Sequence, residues 1–540
     1  MTDSVPKYKL RGETRSCPIC QSNGDGNLGD HIRKVHGEES YKSAVLAAKE
    51  AGLADPEIGE IFNINFKQLE RIITEAYGIN ISTLGRTKKI SSWAPKGYEE
   101  ETTTVWSFRQ RGRWATHDGR YRGNWSPYIP RNVIMKYSRP GDTVLDYFVG
   151  GGTTAVEAKL LSRKCIGLDI NAAAVELTRD NLRFNPPSLP NDYQIYEPDV
   201  RVGDARNLEG IKDRTINLIC AHPPYAGIIS YGLKIEGDLS RLSYDNFIAE
   251  MRQVAKESYR VLKPGGKCAI LIGDGRNKKH VVPIGFRTIN AFLDSKFKLK
   301  ELVIKRQHNC KTTGFWYSNS IKHNFLLLAH EYLAIFEKPR SRARKSDNGT
   351  ENEDMAISQS RQHLRAERVP ELETTSVWIL PENEFEEKLD KNVVHRYSEA
   401  GEYWRVSIKH GAKSKSIPFE GKTSLLFIKS PCLDEVKSQD AVHSYENEVH
   451  RFAENNINRV KAGGFLVVQT RDVRIGGYVE AVAKKLVDIL RSENLWLKEI
   501  VVLTSNGAKP SPEASGEDLD IVHQYLLVFE VLNESLGLPI

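Results

Sequence analysis

Short apolar runs bounded by turn residues alternate with segments of helical periodicity between about residue 90 and residue 340. The runs Thr143–Leu145, Cys165–Leu168, Ile216–Cys220, Cys268–Ile272, Leu299–Lys305 and Tyr332–Phe336 predict buried strands. The stretches Thr154–Leu161, Ala172–Phe184, Tyr244–Leu262 and Ile284–Lys296 predict helices between them. Strands that alternate with helices in this way argue a doubly wound α/β sheet. Upstream, Asp55 and Pro56 fit a helix start, and Ile58, Ile61 and Phe62 give that helix one apolar face. Asn63 suits a left-handed turn, and a second helix carries Leu69, Ile72 and Ile73. The pair reads as helix-turn-helix-like, and an ordinary helical hairpin gives the same pattern.

Parts of the pattern occur twice. Glu101-Thr102-Thr103-Thr104-Val105-Trp106 recurs as Glu373-Thr374-Thr375-Ser376-Val377-Trp378. Gly265-Gly266 with Asp274-x-Arg276 recurs as Gly463-Gly464 with Asp472-x-Arg474. His330-x-Tyr332 recurs as His523-x-Tyr525. The offset drops from 272 to 198 between the first two landmarks, so the second copy lacks 272 − 198 = 74 residues there. The missing stretch corresponds to the part of the first copy that holds a glycine-rich loop, and Ser430-Pro431-Cys432 is the nearest match to its proline turn. The expected organisation is residues 1–40 as a small metal-binding unit, 41–88 helical, 89–337 the functional α/β domain, 338–370 a charged linker, and 371–540 a degenerate second α/β copy.

Composition adds limits. At 540 residues the chain is long enough for several cores. Its net charge of +7 is modest. No run of about 20 apolar residues exists, and the longest, Phe325 to Phe336, is interrupted by His330 and Glu331. Met1 to Arg15 is polar, without a signal-peptide core. Seven cysteines, scattered apart from Cys17 and Cys20, fit a reducing cytoplasm and a metal site rather than a disulfide framework. Arg109, Arg111, Arg113, Arg120 and Arg122 interleave with Trp106, Phe108, Trp114, Tyr121 and Trp125. Such a segment can track a phosphate backbone and stack on bases, and a solvated basic loop has the same composition.

Cys17-x2-Cys20-x10-His31-x4-His36 supplies two thiolates and two imidazoles, enough to close a tetrahedral zinc shell. The segment resembles a C2H2 zinc finger, with Leu28 and Val35 as its apolar core. Its Cys-to-His spacing is shorter than usual, and Ser22 stands where an aromatic is common.

Two further motifs carry the chemistry. Asp146-Tyr147-Phe148-Val149-Gly150-Gly151-Gly152-Thr153-Thr154 follows the first strand. Its glycines let backbone approach a ligand closely, and the helix after them points its N-terminus at that ligand. Asp169 ends the next strand, where a carboxylate accepts from ribose hydroxyls, and Asp204 lies on a third acidic turn able to read an adenine amino group. The absence of G-x-G-x-x-G and of a Walker lysine argues against dinucleotides and nucleoside triphosphates. The second motif, His222-Pro223-Pro224-Tyr225, follows the strand Ile216–Cys220. Two prolines make a rigid corner whose carbonyl is free to accept from an exocyclic amine. Neutral His222 offers a second acceptor, and Tyr225 a face for a base.

These residues resemble the amino-methylating DNA methyltransferases, with their D-x-F-x-G-x-G-T-T and (D/N/S)-P-P-(Y/F/W) motifs, over about residues 101–340. Asn124-Trp125-Ser126-Pro127-Tyr128 resembles the family segment that holds the methionine part of the cofactor. The resemblance implies a Rossmann-like fold and S-adenosylmethionine bound by Ser126, Pro127, Asp146, Phe148, Gly150, Gly152, Thr153, Thr154, Asp169 and Asp204. It implies transfer to cytosine N4 or adenine N6 of a flipped base in duplex DNA, at His222, Pro223, Pro224 and Tyr225. Restriction or defence, with a nuclease partner, is the implied setting. His222 departs from the family's Asp, Asn or Ser, which leaves the target base undecided. Two alternatives stay open: a tRNA or rRNA guanine-N2 type methyltransferase, and an inactive zinc-finger DNA-binding protein.

Overall fold

The computed structural model describes residues 17, 19–22, 27–50, 53, 55–77, 90, 92–117, 121, 123–184, 194–226, 235–308, 319–320, 322–340, 355–364, 372–410, 415–416, 420–430, 438–506 and 518–532. Met1–Arg15, Arg120, Arg122, Cys310, Pro431 and Cys432 lie outside the described residues.

The first sheet takes its strands from β1 (Val105–Trp106), β2 (Thr143–Asp146), β3 (Lys164–Asp169), β4 (Asp199–Val202), β5 (Ile216–Ala221), β6 (Leu262–Ile272), β9 (Lys298–Arg306) and β10 (His330–Glu337), after the short hairpin β7 (Gly275–Asn277) and β8 (His280–Val282). Their spatial order is β1-β9-β10-β6-β5-β2-β3-β4. The pairings are parallel except where β10 runs antiparallel to β6 and β9. The order reverses between β2 and β5, so the carboxyl ends of these two strands flank the crevice of a doubly wound sheet. Both strands are apolar and buried on both faces, as central parallel strands must be.

Helices α4 (Tyr128–Tyr137), α5 (Thr153–Leu160), α6 (Ala172–Asn181), α7 (Tyr244–Val261) and α8 (Ile284–Asp294) cover the sheet. Asn171 caps α6 by accepting from Ala173 N at 3.0 Å, and Ser243 caps α7 through Asn246 N at 3.4 Å. Helix α5 is fastened by a buried carboxylate. Glu157 accepts from Trp114 Nε1 at 2.6 Å and from Arg131 Nη1 at 2.9 Å, and its Oε1 lies 2.7 Å from His117 Nε2.

A second eight-stranded sheet has the order β12-β19-β20-β16-β15-β13-β11-β14. Its strands are β11 (Met355–His363), β12 (Val377–Pro381), β13 (Glu402–His410), β14 (Lys415–Ser416), β15 (Thr423–Lys429), β16 (Val460–Thr470), β19 (Leu495–Asn506) and β20 (His523–Val531), with a hairpin of β17 (Val473–Ile475) and β18 (Tyr478–Glu480). Helices α9 (Phe385–Tyr397), α10 (Gln439–Asn456) and α11 (Val482–Leu490) accompany it. From β12 to β13 the order and strand directions match those from β1 to β2. Residues 411–422 alone separate β13 from β15, too short a stretch to hold counterparts of α5, β3, α6 and β4 together. Residues 355–363 fall inside the expected linker and form β11, paired along its length with β13. Main-chain pairing holds this polar, largely exposed strand, so composition gave no sign of it.

The two halves meet through matched contacts. Arg276 pairs with Glu499 at 2.7 Å, and Arg474 with Glu301 at 2.5 Å. His330 Nδ1 lies 2.9 Å from Ser376 Oγ, and His523 Nδ1 lies 2.8 Å from Thr104 Oγ1. One apolar cluster runs through both sheets, from Leu145 to Phe529. Arg276, a landmark of the internal repeat, is thus committed to this interface.

At the N-terminus α1 (Leu28–Glu50), α2 (Asp55–Phe62) and α3 (Phe66–Tyr77) share one core that also takes in Cys17. Helix α1 crosses residue 40 with a kink at Gly37, φ 85°. Asn63 adopts φ 49°, as its place between α2 and α3 suggested. Asn65 and Gln68 cap α3 reciprocally, each side chain accepting from the other's backbone N–H at 2.9 and 3.0 Å. Val35 is 61% exposed, and Ile32, fully buried, takes the core place expected of it. Ile32 sits four residues after Leu28, on the same helix face.

Among the described residues no helix is long and apolar enough to cross a membrane.

Candidate active site and metal cluster

Leu145 on β2 pairs in parallel with Ile219 on β5, so the glycine loop and the proline turn leave the sheet side by side. Between them opens a pocket of about 790 Å³, counting its mouth, which both loops line. Its wall includes Phe148, Gly150, Asp169, Asp204, His222 and Pro224 from the expected set.

The loop's shape follows from its sequence. Gly150 and Gly152 take φ of 50° and 82°, where a side chain is strained. A Cβ on Gly150 would meet Tyr121 Cε1 at 2.8 Å, and one on Gly152 would meet Thr178 Cγ2 at 2.7 Å. Helix α6 holds the loop from behind: Thr178 Oγ1 donates to Gly150 O at 2.8 Å and Asn181 Nδ2 to Gly151 O at 2.7 Å. Asp169 closes it from the side, accepting from Gly150 N at 3.0 Å and Asn171 N at 2.9 Å. Burial pushes the Asp169 carboxyl up to about 6.

Asp146, Gly152, Thr153, Thr154, Ser126, Pro127, Pro223 and Tyr225 do not line the pocket. Asp146 is buried beneath the loop and accepts from Phe148 N at 3.0 Å; burial raises it to about 7. Thr153 Oγ1 donates to Asn124 Oδ1 at 2.5 Å, and Thr154 Oγ1 reaches Cys220 O at 3.5 Å. Thr154 therefore ties the start of α5 to the end of β5. Ser126 Oγ donates to Arg111 O at 2.9 Å, and Pro127 occupies the N-cap of α4. Asp204 is on the wall, but Arg206 holds it through Nε at 3.0 Å and Nη2 at 2.6 Å. Burial works to raise Asp204, and the Arg206 hydrogen bonds overcome it, leaving the carboxyl below its usual range.

The aromatic and basic segment 106–125 is built differently from its expected open track. Trp106, Trp114 and Trp125 are buried. Arg111 donates from Nη1 to Asn124 O at 2.6 Å and from Nη2 to Trp125 O at 2.9 Å, so it clamps the strand of chain along the pocket. Arg109 and Arg113 are exposed. Tyr121, Asn124 and Trp125 line the pocket, and Trp125 stacks on His222 at 5.5 Å and 21°.

At the proline turn, His222 Nε2 lies 3.1 Å from Tyr225 Oη. The Tyr225 hydroxyl donates to Glu331 on β10, whose other oxygen accepts from Lys305 Nζ on β9 at 2.6 Å. The Tyr225 ring meets His222 edge-on, 5.4 Å between centroids and 72° between planes. Packing around the half-buried His222 ring lowers its pKa to about 4, so the imidazole is neutral near pH 7. Glu331 and Lys305 were not expected. Their signal was the polar break His330-Glu331 inside the apolar run Phe325–Phe336. Asp238, also on the wall, sits just beyond the proline turn in a stretch without periodicity.

In the N-terminal unit, ligand atoms of Cys17, Cys20, His31 and His36 all lie within 4.8 Å of one another. Cys17 is buried, and His36 Nε2 is buried without a hydrogen-bond partner among the described residues. Hydrogen bonds from Ser22 hold the Cys20 thiol down, to about 5. Two soft sulfurs and two imidazoles converging on one point fit a closed zinc shell.

The strand order and the two-loop pocket together define a doubly wound fold of the kind that seats a nucleoside cofactor at its switch point. A family model described as a DNA methylase, N6_N4_Mtase, matches residues 65–180 and 216–420, more than half of the chain. The chain belongs to this N6/N4 DNA methylase family. Among curated relatives, the Type II methyltransferase M.MthZI of Methanothermobacter thermautotrophicus is 30% identical over 161 residues, covering 27% of this chain and 45% of the relative. A tRNA (guanine(10)-N2)-dimethyltransferase of the same species is 26% identical over 193 residues, covering 36% of this chain and 48% of the relative. The chain thus spans about half the length of these curated relatives. Of solved structures, a SAM-dependent methyltransferase from Methanosarcina mazei is 16% identical, with a TM-score of 0.27, covering 38% of this chain and 97% of that one.

Proposed function

We propose that this protein is an S-adenosylmethionine-dependent methyltransferase acting on an exocyclic amino group, cytosine N4 or adenine N6, of a base flipped out of duplex DNA. The observation that carries the reading is the parallel pairing of β2 with β5, which puts the glycine loop and the proline turn on one cavity. In this reading Gly150, Gly152 and the N-terminus of α5, with Thr153 and Thr154, shape the cofactor seat. Asp169 accepts from ribose hydroxyls, and Phe148 and Asp204 border the adenine. Asp146 holds the loop from below, and Ser126 and Pro127 shape the methionine end. S-adenosylmethionine supplies an electrophilic methyl group when bound. The chain's part is positioning: the carbonyl at Pro223 and neutral His222 accept from the target amine, Pro224 keeps the corner rigid, and Tyr225 borders the base.

A zinc ion on Cys17, Cys20, His31 and His36 belongs to the same proposal, as a structural centre that stiffens a DNA-binding unit made with α2 and α3. A restriction nuclease is the partner class in keeping with the Type II relatives. The tRNA-modifying relative, which matches a longer stretch of the chain than M.MthZI does, favours a second reading: guanine N2 in RNA.

The test is to incubate the purified chain with methyl-labelled S-adenosylmethionine and either duplex DNA or tRNA, then digest to nucleosides. Label in N4-methylcytosine or N6-methyladenine supports the proposal and assigns the base. Label in RNA alone overturns it in favour of the second reading. Label in neither, with no cofactor binding by calorimetry, leaves a DNA-binding protein without transferase activity.

A further inference from the structure

The two copies of the α/β unit act as controls for each other. Tyr332 faces Ile304 across β10 and β9, and Tyr525 faces Val502 across β20 and β19. Because Tyr332 and Tyr525 are the repeat's matched residues, Glu331 and Lys305 correspond to Gln524 and Leu503. The pairing of β5 with β6 and of β15 with β16 likewise matches His222 to Lys429. Elsewhere the copies keep their polar residues: His330 and His523, Asp274 and Asp472, Arg276 and Arg474. All of those serve the interface or the packing behind it. The fold therefore accepts Gln and Leu where the first copy places a buried carboxylate and ammonium.

A buried ion pair is weak support for stability, because desolvating both charges offsets their attraction. Glu331 and Lys305 are 7% and 19% exposed in their side chains, and they stand in the copy whose glycine loop and proline turn line the pocket described above. Among the described residues, their one further side-chain hydrogen bond leads to the proline turn. Glu331 accepts the single proton of the Tyr225 hydroxyl, so toward His222 the phenol oxygen can only accept. A neutral imidazole beside it must then carry its proton on Nε2, which makes Nδ1 the acceptor. The groups facing His222 are Tyr225, Glu331, Lys305, Arg111 and the backbone of Gly123, whose hydrogen bond with the ring favours its protonated form and is outweighed by burial.

We infer that Glu331, fixed by Lys305, is a positioning residue that acts through Tyr225 to hold His222 in the Nε2–H form, so that Nδ1 accepts from the amino group of the target base. The tautomer is set by the chain's own residues; its use rests on the proposed function above. It also accounts for a histidine at a position where Asp, Asn or Ser would accept without help.

The test reads the tautomer directly. Nitrogen-15 NMR of the full chain is recorded for wild type, Glu331→Gln and Tyr225→Phe, with the His222 signals assigned by their loss in His222→Asn. Wild type is expected to show protonated Nε2 and unprotonated Nδ1, and both variants a shift toward the other tautomer. Glu331→Gln removes the counter-charge of Lys305, so the thermal midpoint should fall, while S-adenosylhomocysteine affinity should stay at the wild-type value and show that the cofactor seat is intact. Methyl transfer should fall about 100-fold in kcat, the scale of a misplaced acid–base group, and the double variant should be no worse than either single one. A wild-type signal with the proton on Nδ1, or a tautomer unmoved by Glu331→Gln, overturns the inference. A wild type that methylates neither DNA nor RNA overturns the functional reading, and with it any use of this lone pair.

Discussion

Gly150 N donates to Asp169 Oδ2 at 3.0 Å, so the loop leaving β2 is held by the carboxylate that ends β3. One side chain thereby fixes the loop and presents its acid to the pocket. Four expectations follow from geometry of this kind.

Gly152→Ala should weaken the cofactor seat. The backbone there has φ 82°, and an added Cβ would meet Thr178 Cγ2 at 2.7 Å. A side chain in this left-handed region costs about 1–2 kcal/mol before any clash is counted. The expected result is a lower thermal midpoint and weaker S-adenosylhomocysteine binding by calorimetry. Ala at Gly463, also at positive φ but with open space around it, should lower the midpoint without touching binding.

Cofactor affinity should fall on acidification. Burial raises Asp169 to about 6, so below that pH the free protein carries a neutral acid where ribose hydroxyls need an acceptor. A raised carboxyl takes up a proton on folding, so acid between about pH 6 and 4 favours the folded chain while it disfavours the ligand. S-adenosylhomocysteine affinity should therefore drop by up to about tenfold per pH unit below 6 with no loss of thermal stability from this group. Asp169→Asn should bind weakly and nearly independently of pH over the same range. A flat wild-type profile would remove Asp169 from the binding set.

Arg474→Ala should loosen the contact between the two sheets. Glu301 is fully buried and its Oε2 accepts from Arg474 Nη2 at 2.5 Å. Removing one partner of a buried pair costs about 3–5 kcal/mol. Burial raises the Glu301 carboxyl, so the loss should shrink in acid, where that group can be neutral. Thermal melts at pH 5 and pH 8 measure the difference, and Glu301→Gln should rescue part of it.

Purified protein should carry one zinc per chain by elemental analysis. Cys17→Ser should abolish it, since Cys17 is buried in the same core as Ile32, Tyr41 and Phe62. Chelation should melt α1 to α3, read as a loss of helical circular dichroism, while S-adenosylhomocysteine binding persists at the pocket, which none of these helices lines. Absence of metal from freshly purified protein would refute the site.

What the sequence determined by itself was local. Apolar runs such as Ile216–Cys220 named the central strands within a residue or two, because a strand buried on both faces tolerates little else. The glycines of 150–152 and the prolines of 223–224 named their turns, because few other residues adopt those backbone shapes. Residues that act through distant partners were not legible. Arg111 looked like a phosphate contact until its guanidinium closed on the carbonyls of Asn124 and Trp125. Arg276 is likewise fixed by a distant partner, Glu499, 223 positions away. The polar strand β11 forms through main-chain pairing that no side-chain pattern announces. Glu331 and Lys305 stood out only as blemishes in apolar strands, and folding brought them to Tyr225 from 106 positions away in the case of Glu331. Burial and pairing across the chain decide what a charged side chain does, and only the tertiary structure supplies both.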